Sequence, residues 1–220
     1  MAILEGLEFY ISKRVGRAIM DYKMLADGDK IAVAVSGGKD SLTLLRILQA
    51  RQKFVPIKYD LLALHVDLGK PRLSKQLEKY LEKQQVKYHI SKSCELKELF
   101  QVAHKLGCNK IALGHHKDDI VQTILMNLFL QGEISAMKPK QELPKSKIIV
   151  IRPLAYVEES MIKKFAKEEK LPHGASIRSN SVISNRAKIA KIIRALEKTC
   201  PEVKTNIFRS LQRIKHDYLL

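Results

Sequence analysis

The sequence predicts an α/β protein: a doubly wound, parallel, five-stranded sheet followed by a basic C-terminal helical region. Three observations predict it. Strand-like and helix-like segments alternate five times in the first two thirds of the 220 residues, and a parallel sheet with crossover helices accommodates that pattern. A glycine turn, SGGKDS at 36–41, follows a short apolar run and opens a helix. After residue 155 the pattern becomes helical and basic.

Each element has its own warrant. Leu4, Leu7, Ile11, Val15, Ala18 and Ile19 recur at three- and four-residue steps, which predicts a helix over 3–25. ADGDK at 26–30 reads as a turn. IAVAV at 31–35 is β-branched and apolar, as a strand covered on both faces would be. Residues 41–52 read as a helix with Leu44, Leu45 and Leu48 inward. The second strand is YDLLALHVD at 59–67. An amphipathic helix at 73–85 and a third strand at 86–92 follow. A helix over 94–106 stops at Gly107, and KIALGHH at 110–116 is the fourth strand. The next helix runs from 118 to 130. Residues 133–147, with two prolines and four lysines, read as a loop, and IIVIRPL at 148–154 as the fifth strand. Helical patterns then occupy 158–170, 182–198 and 203–219. The expected organisation is an N-terminal helix at 1–25, a nucleotide-binding domain at 26–155 and a basic helical region at 156–220.

Composition narrows the partners. Hydrophobic residues make up 45% of the chain, and no apolar run approaches the ~20 residues of a membrane helix. The N-terminus lacks the basic-then-apolar order of a secretory signal, so a cytoplasmic protein with no membrane partner is expected. Lys and Arg total 40 against 23 acidic residues, a net charge of +17. Residues 146–220 carry 16 of those basic residues and 7 of the acidic ones, so about half the excess sits in the last third. Such a bias suits a polyanion, because phosphates release counterions onto Lys and Arg. Aromatics are 6% and Trp is absent, which favours backbone and shape contacts over base stacking. Cys94, Cys108 and Cys200 are scattered, with no CxxC pair, so neither a disulfide framework nor a zinc site is legible.

The turn carries the chemistry. Ligands of open α/β sheets bind outside the carboxyl ends of the strands. Gly37 and Gly38 leave no Cβ in the way of a phosphate chain approaching the backbone N–H groups. The helix start adds its positive dipole end. Ser36 and Ser41 supply hydroxyls and Lys39 a point charge. Asp40 can cap the helix or help hold magnesium. A Walker A loop would need Ser or Thr after Gly38-Lys39, and GxGxxG is absent.

SGGKDS after an apolar strand resembles the PP-loop of the ATP pyrophosphatases, which have an adenine nucleotide alpha hydrolase-like fold and cleave ATP between the α and β phosphates. That resemblance implies ATP and Mg2+ as cofactors and a pyrophosphate held by Ser36, Gly37, Gly38, Lys39, Asp40 and Ser41. Two further blocks, LGHHKDDIVQTILMNLF at 113–129 and IVIRPLAYVEE at 149–159, extend it. Together with residues 14–41 they look like the tRNA 2-thiocytidine synthetases, over about residues 10–215. By that likeness Gly114, His115 and Asp119 line the nucleotide site and His116 faces the cleft. Asp119 acts on magnesium or protons. The backbone near His65 and Val66, beside Asp67, receives adenine. Asp118 and Asp119 also suit a helix start, and one of them is expected only to cap. Arg178, Arg186, Lys188, Lys191 and Arg194 would sit on tRNA phosphates.

The family carries CxxC pairs that hold an iron–sulfur cluster. Here Cys94 stands alone in the first region, and His173 and Ser176 occupy the second. An iron–sulfur cluster is therefore not expected, and no metal-ligand residue is assigned. Cys94, expected to start a helix that would lower its thiol pKa, is the candidate sulfur carrier. The expected function is adenylation of a tRNA base carbonyl, for 2-thiolation of a cytidine. Three readings stay open beside it: an amine nucleophile, as in lysidine synthetases; a non-RNA acid substrate; and a nucleotide-binding protein without turnover. A sulfur-donor protein and, from the apolar N-terminal helix, a homodimer are compatible partners.

Overall fold

The structure is a computed structural model and describes residues 5–67, 69, 71–92, 98–143, 147–172 and 180–218. The elements in chain order are α1 (Gly6–Asp21), β1 (Asp29–Ala34), α2 (Lys39–Gln52), β2 (Tyr59–Asp67), α3 (Pro71–Lys83), β3 (Tyr88–Lys92), α4 (Glu98–Lys105), β4 (Lys110–Ala112), α5 (Lys117–Gln131), β5 (Lys140–Leu143), β6 (Ile148–Ile151), α6 (Glu159–Glu168), α7 (Asn180–Glu197) and α8 (Val203–Ser210). They fall into two compact units. The first comprises residues 1–116 and 138–176, the second 117–137 and 177–220.

The first unit holds a six-stranded sheet in the order β3-β2-β1-β4-β6-β5. Five strands run parallel, and only β5 is antiparallel, pairing with β6. Side chains alternate across it, as the two-residue strand period requires. Ile31, Val33 and Val35 enter a core with α1, α2, α3 and α6. Ala32, Leu64, Val66 and Ile111 enter the opposite core with Leu99 and Ala103 of α4. Both faces are covered, which explains why the strands read as continuous apolar runs.

The parallel sheet matches the expected fold class, with one strand more than expected. The sixth is β5, inside the segment read as a loop. Its KQEL sequence is half exposed and pairs on one side only, so it carries no apolar signal. The strand read as 148–154 ends at Ile151, and Pro153–Tyr156 form a 3-10 turn. The fourth strand is likewise cut to three residues, which frees Leu113 to His116 for the sheet's carboxyl edge.

Within the second unit, Val121 and Leu125 of α5 pack on Ile189 and Ile193 of α7 and Val203 of α8. The helix expected over 203–219 stops at Ser210, and a short 3-10 turn follows at His216–Tyr218. No helix among the described residues is long and apolar enough to cross a membrane.

Candidate functional site

The carboxyl edge of the first unit gathers the loop residues. β1 delivers Ser36 to the sheet edge, and α2 starts at Lys39 with Gly38 as its N-cap residue. The loop is knitted by its own hydroxyls. Ser36 N–H donates to Ser41 Oγ at 3.2 Å, and Ser41 Oγ–H donates to the Gly38 carbonyl at 3.0 Å. Gly37 has φ +79, and a Cβ there would lie 2.8 Å from the Leu73 side chain. The positive φ is what demands glycine, because the end of the Leu73 side chain could swing aside.

Gly114 is required for a different reason. A Cβ on it would lie 2.9 Å from Ser41 N and 3.0 Å from the Asp40 carbonyl carbon. Backbone therefore meets backbone where the loop after β4 crosses the start of α2. The first N–H groups of a helix have no partner inside it, and here they follow a loop with two adjacent glycines, Gly37 and Gly38. That cradle fits a phosphate chain.

Lys39 is held between two carboxylates. Its Nζ donates to Asp40 Oδ1 at 2.9 Å and to Oδ2 at 3.1 Å, and lies 3.2 Å from Glu159 Oε1. Burial alone would lower the Lys39 pKa, but the hydrogen bond and charge of Asp40, then Glu159, raise it overall. Burial alone would raise the Glu159 pKa, yet Lys163 and Lys39 bring it down to about 2. Asp40 sits in the first helical turn and makes no side-chain cap hydrogen bond, so its expected capping role gives way to holding Lys39. His116 is buried, with Nε2 3.8 Å from Asp40 Oδ1.

His65 takes a part that sequence reasoning missed. Its ring is buried, with Nδ1–H donating to the Val35 carbonyl at 2.7 Å and Nε2 3.2 Å from Ser74 Oγ. The ring thus ties the residue before the loop to α3. Val66, also buried, continues β2 toward the same edge. His115 Nδ1 accepts from Arg152 Nε at 3.4 Å. Glu159 and Arg152 were not singled out from sequence. Both lie in the IVIRPLAYVEE block that carries the resemblance, but nothing in that block marked these two side chains out from their neighbours.

Asp119 belongs to the second unit, in the first turn of α5. There it is buried and paired with Arg186 of α7, Oδ1 to Nη1 at 3.0 Å. Asp118 pairs with Lys204 of α8 at 2.8 Å. Neither acidic residue is thus confined to capping, and Arg186, expected on tRNA phosphates, is engaged with Asp119 instead. Lys188, Lys191 and Arg194 are exposed on α7. Cys94, His173, Ser176 and Arg178 lie outside the described residues.

Among the described residues, no three His, Cys, Asp or Glu side chains form a group that could hold a metal ion. Cys108 is buried ahead of β4, at the amino-terminal end of the sheet, among apolar neighbours that push its thiol pKa up. It does not fit a cluster at the carboxyl edge.

A parallel sheet with this loop at the end of its central strand defines a nucleotide-binding protein of the PP-loop class. The chain matches the PP-loop domain family over residues 10–196. The tRNA-cytidine(32) 2-sulfurtransferase of Geobacter sulfurreducens is 39% identical to it, covering 96% of this chain and 91% of that protein. The enzyme of the same name from Paracidovorax citrulli is 37% identical, over 97% of this chain and 77% of that one. The chain belongs to the PP-loop family and, within it, to the tRNA-cytidine 2-sulfurtransferases. A solved structure, the U34-tRNA thiolase NcsA from Methanococcus maripaludis with its 4Fe-4S cluster, shares the fold. Its TM-score is 0.74 at 24% identity, covering 94% of this chain and 79% of that one.

Proposed function

We propose that this protein activates a tRNA cytidine with ATP and replaces its C2 oxygen by sulfur. The base carbonyl oxygen attacks the α-phosphate, pyrophosphate leaves, a sulfur nucleophile adds at the activated carbon, and AMP departs. The observation that carries the ATP step is the cradle at Ser36–Ser41, closed by the backbone contact of Gly114. In that cradle the N–H groups at the start of α2 and the Ser36 hydroxyl bind pyrophosphate oxygens, joined by the Ser41 hydroxyl once its proton turns from the Gly38 carbonyl to phosphate. Lys39 exchanges a carboxylate partner for a phosphate and stabilises the charge developing on the leaving group. Mg2+ would supply further charge neutralisation among the phosphates, with the Asp40 carboxylate as a ligand of suitable chemistry. Backbone near His65 and Val66 receives the adenine, and His115 lies toward the substrate side. Asp119 is assigned to the same reaction from its sequence block, and Asp119→Asn tests it separately.

Cys94 is the proposed sulfur carrier in the cytoplasm. The Cys94 thiolate takes the outer sulfur of a donor protein's persulfide and frees the donor thiol. The resulting Cys94 persulfide adds at the activated carbon as AMP leaves. Reduction of the S–S bond by two external thiols, which become a disulfide, releases the thiolated base and restores the Cys94 thiol. Exposed Phe9, Tyr10 and Met20 on α1 support a homodimer, which sedimentation of the purified chain checks. The test of the ATP step is tRNA-dependent AMP release. Ser36→Ala and Asp40→Ala are expected to reduce it by about 10²–10³-fold while far-ultraviolet circular dichroism stays unchanged. Retained AMP release in both variants would remove the loop from the reaction.

A further inference from the structure

Arg152 follows β6 at the carboxyl edge of the first unit, and the ATP step leaves its charge unused. It is 8% exposed. Its backbone N–H donates to the Pro139 carbonyl at 2.8 Å. In the side chain, Nε–H donates to His115 Nδ1 and Nη1 to the Lys138 carbonyl. These partners are neutral or weakly basic, and among the described residues no carboxylate pairs with the guanidinium and Nη2 has no acceptor. Burial depresses its pKa with no opposing charge to restore it. Among the described residues of this unit the other buried cation, Lys110, has Asp29 as counter-ion. A buried charge is retained against its desolvation cost when an anion completes it. Nη2 is not among the fully buried unpartnered atoms, so solvent reaches it.

Position selects the anion. In the strand order β2-β1-β4-β6, the adenosine is assigned to β2 and the pyrophosphate to the loop after β1. Neighbouring strands are about 4.8 Å apart, so β6 lies about 10 Å beyond the loop, on the side away from the adenosine. We propose that Arg152, steadied by His115 and the Lys138 carbonyl, binds a phosphodiester of the RNA strand next to the nucleotide being modified. The planar guanidinium suits bidentate phosphate recognition, and its fixed position sets where the target base can lie. This inference rests on the tRNA reading above.

The test compares wild type, Arg152→Gln and Arg152→Lys for melting temperature, ATP affinity and equilibrium tRNA binding across a salt series. Arg152→Lys keeps a cation in the pocket should the glutamine variant fail to fold. The expected result is cooperative melting and ATP affinity within twofold of wild type. tRNA affinity should fall about tenfold for the glutamine variant and less for the lysine variant. The log–log salt slope of the glutamine variant should shrink by about one contact. Weakened ATP binding with unchanged tRNA binding would assign the guanidinium to the nucleotide and overturn the proposal. Unchanged binding of both ligands would leave a purely structural role and also overturn it. Wild-type protein that binds no tRNA would instead sink the tRNA reading itself.

Discussion

At Lys39 the ammonium is shared between Asp40, its neighbour in sequence, and Glu159, at the head of α6. The Glu159 carboxyl titrates at about 2 in the fold, against an ordinary value of 4.5. A carboxyl with a lowered folded pKa adds stability that is complete above its unfolded pKa and is lost as pH falls through the folded one. Wild-type melting temperature should therefore drop between pH 4.5 and 2, and Glu159→Gln should flatten that limb. Parallel acid limbs in the two proteins would show that the pair contributes nothing. The raised Lys39 pKa works in the other direction, its contribution being lost only in strong base. Of these residues, Ser36 to Ser41 were legible because their chemistry is contiguous in the chain. Glu159, Arg152 and the ring of His65 were not, because each acquires its partner only when distant strand ends meet. Arg186 was legible as a cation but not as the partner of Asp119, since that pairing needs α5 and α7 packed together.

The elements bring those strand ends together by close packing at two places. Where the loop after β4 crosses the start of α2, a methyl group on residue 114 would press on backbone that cannot rotate away. Gly114→Ala is expected to cost about 1–3 kcal/mol of overpacking and to weaken ATP binding by roughly that amount, about tenfold or more. Isothermal titration with a nonhydrolysable analogue checks it, and wild-type affinity would show that the crossing does not shape the cradle. At the opposite end of the sheet, Lys110 of β4 donates to Asp29 of β1 in a buried pair that also engages Asn109. Burial alone would raise the Asp29 pKa, but Lys110 and the surrounding donors lower it overall. Lys110→Met strands that carboxylate and should cost about 3–5 kcal/mol in urea unfolding. A loss under ~1 kcal/mol would mean water reaches the pair. The apolar period revealed the buried parallel strands, whereas β5 escaped it because an edge strand with polar residues buries too little to leave a pattern.

Over the whole molecule, a net charge of +17 and a PP-loop domain fit the proposed activation of a nucleic acid. The charge was legible from composition alone, but which cations remain available for RNA was not: Arg186 and Lys204 are held by acidic residues, while Lys188, Lys191 and Arg194 are exposed. The measurement that tests the central claim most directly is nucleoside mass spectrometry of unmodified tRNA incubated with the protein, Mg-ATP and a sulfide source, with AMP quantified in parallel. The account predicts a cytidine heavier by the difference between sulfur and oxygen, formed in step with AMP. AMP released with no such nucleoside, or with an amine adduct in its place, would contradict thiolation while leaving the ATP chemistry. Neither product would contradict the account altogether.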